Sequence, residues 1–131
     1  MKKREPEDNL AQLTHVIVEA MQEKKAKDIV ALDLRELDSR VVDKFIICHA
    51  DNDRQVDAIA KAVEDNVQEK LGERVWHREG YENKEWILLD YVNIAVHVFL
   101  AEKRGFYALE TLWGDAALET FDDVAQPVKN S

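Results

Sequence analysis

Apolar residues along this chain change period several times, and the changes mark its elements. From Leu10 they recur at Leu13, Ile17 and Met21, with Val16 and Ala20 widening the stripe. That spacing predicts a helix, opened by Pro6 or Asn9 and ended near Lys24 and Lys25, whose charges suit a carbonyl end. Asp28 to Leu34 (DIVALDL) and Phe45 to His49 (FIICH) are apolar runs of strand length, separated by the polar stretch Arg35 to Arg40. Asp51 and Asp53 then offer N-cap chemistry, since a carboxylate there accepts from the first free backbone amides of a helix. Val56, Ile59, Ala60, Val63, Val67 and Leu71 share one face of that helix, and Gly72 ends it.

Beyond Gly72 the period becomes two. Glu73 to Gly80 reads as a strand with Val75 and His77 on one face and Trp76 and Arg78 on the other, and Tyr81 to Glu85 as a polar loop. Trp86 to Tyr91 and Ile94 to Phe99 form two neighbouring strands interrupted at Asn93, and the amphipathic segment Glu102 to Trp113 is a helix or helical turn laid against them. In the first of these strands Trp86, Leu88 and Asp90 alternate with Ile87, Leu89 and Tyr91. Both faces are too apolar for ordinary exposure, so either helices cover each or one is an interface. From Gly114 the chain turns small and acidic, which predicts a tail over 114–131, ordered at most in part by a short helix at Ala116 to Phe121.

These elements predict an α/β fold: a single domain over 1–113 with a mixed five-stranded sheet and helices packed mainly on one face. A chain of 131 residues is long enough for a real core and too short for two ordinary domains.

Charge narrows the partners. Asp and Glu number 27 against 18 Lys and Arg, a formal net charge of -9, which disfavours a nucleic-acid backbone and either favours a basic protein or serves only to keep the domain soluble. Little direct nucleic-acid contact is expected. No apolar run approaches the roughly 20 residues of a membrane helix, so no membrane partner is expected either. The start, MKKREPEDNLAQL, lacks the apolar core of a signal peptide, and Cys48 is the only cysteine; both point to the cytoplasm.

Catalytic motifs are scarce. His15, His49, His77 and His97 stand in no H-x-x-x-H or H-x-H relation, and four glycines leave little for a phosphate cradle. Neither a cofactor nor a metal is expected. His97, inside VHVF, is either a hydrogen-bonded sheet histidine or a partner contact. Cys48 reads as a small core residue. The rival to a binding protein is a metal-dependent nucleotide-processing enzyme using Asp33, Asp51 and Asp53. Against it stands the aromatic density of the C-terminal half: Trp76, Trp86, Tyr91, Phe99, Phe106, Tyr107 and Trp113, residue types favoured as interface anchors.

IICHADNDRQV (residues 46–56), the pair Glu79-Gly80, WILLDY, VHVF and RGFYALETLW occur in the order seen in the ribosomal silencing factor family, the bacterial relatives of plant iojap, which this chain resembles from Leu10 to Trp113. The resemblance implies a nucleotidyltransferase-like fold without the catalytic residues. It also implies binding to the large ribosomal subunit at its protein fourteen, blocking of subunit joining, and lowered translation when nutrients are short. On that basis Trp86, Tyr91, His97, Phe99 and Tyr107 are expected to contact the partner or shape the contact. Asp90 and Glu110 are expected to offer carboxylates, with Arg104 in the adjoining segment. An exposed apolar sheet face also makes a homodimer of the free protein an expectation. The chain departs from the family pattern at His49-Ala50-Asp51-Asn52-Asp53, where Gly-Thr-Ser-Ser is usual, and at Val92-Asn93, where Gly-Asp is usual. Valine resists positive φ, so Asn93 alone is expected in the left-handed region.

Overall fold

The computed structural model describes residues 6–37, 42–107 and 117–123. Its elements are α1 (Pro6–Glu23), β1 (Lys27–Asp33), β2 (Lys44–Ala50), α2 (Asp53–Leu71), β3 (His77–Glu79), β4 (Trp86–Asp90), β5 (Ile94–Leu100), α3 (Ala101–Tyr107) and β6 (Ala117–Phe121). The strands form one six-stranded sheet in the order β3-β4-β5-β2-β1-β6. Only β2 and β5 run parallel; every other neighbouring pair is antiparallel.

The sixth strand corrects the expectation of five. It lies where a short helix in an acidic tail was predicted. Five residues cannot sustain a helix by themselves, whereas the edge of β1 offers each of them a backbone partner. The end of β6 is held further by Gln22, whose Nε2 donates to the carbonyl of Asp122 at 3.1 Å, and by Asp123, which accepts from the amide of Asp28 at 3.0 Å. The sheet therefore draws on chain beyond residue 113. The predicted helix over Glu102 to Trp113 is described only as far as Tyr107; the rest, with Glu110 and Trp113, lies outside the described residues.

Helix α2 follows its predicted stripe, burying Val56, Ile59, Ala60, Val63 and Val67. Its cap is Asn52 rather than Asp51 or Asp53: the Asn52 side chain accepts from the amide of Gln55 at 2.9 Å. Asp51 is instead paired with Lys27 at 2.6 Å, and Asp53 occupies the first turn. Gly72 ends the helix as predicted, and does so in the left-handed conformation at φ 67°.

The core divides by sheet face. Leu13, Ile17 and Met21 of α1 and the α2 stripe pack with Ile29, Ala31, Ile46, Cys48, Ile87, Leu89, Val96 and Val98 in one cluster. Val30, Leu32, Phe45, Ile47, Ala95 and Phe99 alternate with those residues along the strands and form a second cluster, to which no residue of α1 or α2 belongs. Of the two arrangements open to strands apolar on both faces, the described residues show α1 and α2 covering only the first face.

Two local departures shape the hairpin region. Strand β3 keeps only His77–Glu79 of the predicted Glu73 to Gly80, because its three residues are exposed and pair with β4 alone. At the β4–β5 connection the positive φ falls on Val92 (75°), not on Asn93. The Asn93 carbonyl accepts from the amides of Asp43 (3.0 Å) and Lys44 (3.2 Å), so its orientation is set by the start of β2. The Asn93 amide closes a three-residue turn onto the Tyr91 carbonyl at 2.9 Å, and the Asp90 carboxylate accepts from the Val92 amide at 2.7 Å. The strain of this turn is thereby placed on a β-branched residue.

Candidate partner-binding surface

Strand β4 brings Trp86 opposite Phe99, Leu88 opposite His97 and Asp90 opposite Ala95 on β5. All six sit on the face without α1 and α2. Trp86 stacks on Phe99, with ring centroids 5.2 Å apart and planes at 23°. The Trp86 Nε1–H donates to Nδ1 of His97 at 2.9 Å, and Phe45 meets the imidazole edge-on at 4.7 Å. Because Nδ1 accepts, the ring proton sits on Nε2, which is buried with no partner among the described residues. Burial pushes His97 down to about 3, so the ring is uncharged at neutral pH. Of the two roles open to His97, the hydrogen-bonded sheet histidine is realised, and its ring also lines a groove.

That groove encloses about 540 Å³. Phe45, Leu88, Ala95 and His97 rise from the sheet, Val42 and Val92 close it from two loops, and Trp76 and Asp90 complete its lining. Trp76 is 72% exposed, one of the few large apolar side chains left in water. Its backbone amide donates to the Asp90 carbonyl at 2.8 Å, which fixes the two residues side by side. Trp76 was not among the expected contact residues; in the sequence it is one face residue of a predicted strand and part of the aromatic density. The signal was a lone tryptophan in the polar stretch GERVWHREG.

The expected contact residues separate by depth. Trp86 and Asp90 are half-buried on the open face. His97 is 5% exposed and Phe99 fully buried, so they support that face from beneath. Tyr91 departs from the expectation. Sharing the parity of Ile87 and Leu89, it is 5% exposed within the helix-side core, away from the groove. Arg104 serves as a clamp: its guanidinium donates to the Asp28 carbonyl at 2.7 Å and lies 3.0 Å from Nδ1 of His49, tying α3 to β1 and β2. Tyr107 is the last residue of α3, and Glu110 lies outside the described residues.

The carboxylates of the enzymatic alternative do not converge. Asp33 ends β1 opposite Lys44, the first residue of β2, whereas Asp51 and Asp53 follow the other end of β2. At about 3.3 Å per residue the length of a strand, roughly 20 Å, separates them. Asp33 is engaged by Arg35 at 2.6 Å, which holds its carboxyl down to about 2. Among the described residues no group of three or more His, Cys, Asp or Glu is arranged to hold a metal ion. Cys48 is buried, and burial pushes its thiol up to about 12, which leaves it unreactive. No described helix is long and apolar enough to cross a membrane.

The described residues thus form a single α/β domain with α1 and α2 on one sheet face and an aromatic-lined groove on the other. Residues 7–131 match the family described as "Ribosomal silencing factor during starvation". The ribosomal silencing factor RsfS of Bacillus subtilis (strain 168) is 40% identical over 114 residues, 87% of this chain and 95% of that protein. The chloroplastic protein Iojap of Zea mays is 37% identical over 97 residues, 71% of this chain and 42% of that one. An X-ray structure of a Chromobacterium violaceum protein superposes with a TM-score of 0.74 at 30% identity, covering 92% of each chain. The chain belongs to the ribosomal silencing factor family.

Proposed function

We propose that this protein represses translation during nutrient limitation by covering a surface of the large ribosomal subunit, at its protein fourteen, that the small subunit needs for joining. The observation that carries the reading is the groove of the open face, with Asp90 at its edge on a chain of net charge -9. Aromatic and aliphatic side chains supply affinity on desolvation, and the negative field orients a basic ribosomal protein as it docks. The fold acts as a nucleotidyltransferase-like scaffold used without chemistry, in the cytoplasm where subunits meet. Separated subunits mixed with the purified protein test this directly. The joined fraction in a sucrose gradient is expected to fall as protein is added. An unchanged joined fraction at saturating protein overturns the proposal.

A further inference from the structure

The groove is narrower in chemistry than a general apolar patch. Among the described residues that line it, Asp90 carries the only charge, since His97 is neutral. One Asp90 oxygen accepts from the Val92 amide, and the other has no partner among the described residues. An apolar guest filling the groove would strip water from that carboxylate and return nothing to it. An anionic guest would meet both Asp90 and the field of a chain of net charge -9.

A cationic side chain on an aliphatic stem satisfies every wall. Its methylenes would lie along Leu88, Val92 and Ala95, and its charge would reach Asp90 beside the exposed face of the Trp76 indole. Guanidinium fits better than ammonium, because it is planar, stacks on an indole and pairs with a carboxylate through a fork of N–H groups. The 2.8 Å bond from the Trp76 amide to the Asp90 carbonyl holds the two main chains side by side, so that ring and carboxylate line the same groove. We infer that the groove between Trp76 and Asp90 is a slot for one arginine side chain of the protein partner on the large subunit. The inference rests on the proposed function and adds to it the chemistry of the contact.

Titration of purified large subunits by co-sedimentation, at low and moderate salt, tests the slot with wild type, Trp76→Ala, Trp76→Phe and Asp90→Asn. Trp76 is exposed, and asparagine keeps the oxygen that accepts from Val92, so urea midpoints are expected to stay near wild type. Trp76→Ala is expected to weaken binding at least about tenfold, and Trp76→Phe to restore most of it. Asp90→Asn is expected to weaken binding by about tenfold and to flatten its salt dependence. A wild-type protein that does not sediment with large subunits overturns the proposed function itself. Wild-type binding with Trp76→Ala and Asp90→Asn unimpaired overturns the slot alone, and Asp90→Asn unimpaired beside a weakened Trp76→Ala identifies an apolar guest instead. If the variants alter self-association of the free protein in sizing experiments while subunit binding is unchanged, a second copy occupies the groove and the slot is refuted.

Discussion

Trp86 and His97 lie diagonally across the β4–β5 ladder, and the indole N–H of the first donates to Nδ1 of the second at 2.9 Å. This bond selects the imidazole tautomer and holds the tryptophan flat on Phe99, so it sets the relief of the open face. Removing either partner leaves a polar atom poorly served in an apolar setting. Trp86→Phe and His97→Phe are each expected to cost about 1–3 kcal/mol of unfolding free energy. The double variant should recover part of that sum, with a coupling of roughly 0.5–2 kcal/mol. Denaturant titrations of the four proteins measure it, and strictly additive losses would mean that the bond contributes nothing.

Acid should weaken the fold through the same histidine. Burial pushes His97 from an ordinary 6.5 down to about 3. The unfolded chain takes up this proton near 6.5, while the folded chain refuses it until near 3. Between those values the unfolded state binds more protons, and stability falls as pH falls. The loss is on the order of a few kcal/mol across the window. His49, lowered by burial and by the neighbouring Arg104, adds a slope of the same sign. Asp33, held down to about 2 by Arg35, contributes stability that is lost only as pH falls from 3.8 toward 2, much of it screened by solvent. Glutamine at position 97 retains an acceptor for Trp86 without the titration. His97→Gln is expected to show a shallower stability profile between pH 6.5 and 4; profiles of equal slope would locate the titration elsewhere.

Two positive-φ positions predict changes of opposite sign. Gly80 sits at φ 94°, and a Cβ added there would lie 2.0 Å from the Trp86 carbonyl oxygen, a backbone atom with no freedom to move aside. Gly80→Ala is expected to lose about 2–4 kcal/mol, from clash and left-handed strain together. Val92, at φ 75°, carries strain that glycine lacks. Val92→Gly is expected to raise stability by up to about 1 kcal/mol, because strain relief outweighs the added freedom of the unfolded chain. The same change removes a wall of the groove, so binding to large subunits should weaken even as the urea midpoint rises. A lower midpoint would show that the turn is unstrained.

Local pattern was enough for much of this protein. The period-two runs WILLD and IAVHVFL define β4 and β5 and carry the motifs WILLDY and VHVF, and the α2 stripe defines its buried face, because side-chain periodicity depends only on neighbours along the chain. Odd and even parity likewise separated Tyr91 from Trp86 in advance. Parity does not say which face the helices take, and that assignment placed Tyr91 in the core and Trp86 beside the groove. The strand at Ala117–Phe121 exists because β1 presents an edge to it, a partner nearly ninety residues away that no window of sequence contains. Val92 carries the left-handed turn because the Asn93 carbonyl is committed to the start of β2. Trp76 stands beside Asp90 through a backbone bond between segments fourteen positions apart. Sequence by itself determined α1, α2 and the four strands β1, β2, β4 and β5, and carried the family likeness; tertiary structure alone decided the covered face, the sixth strand and the groove, because each depends on hydrogen bonds and packing between distant segments.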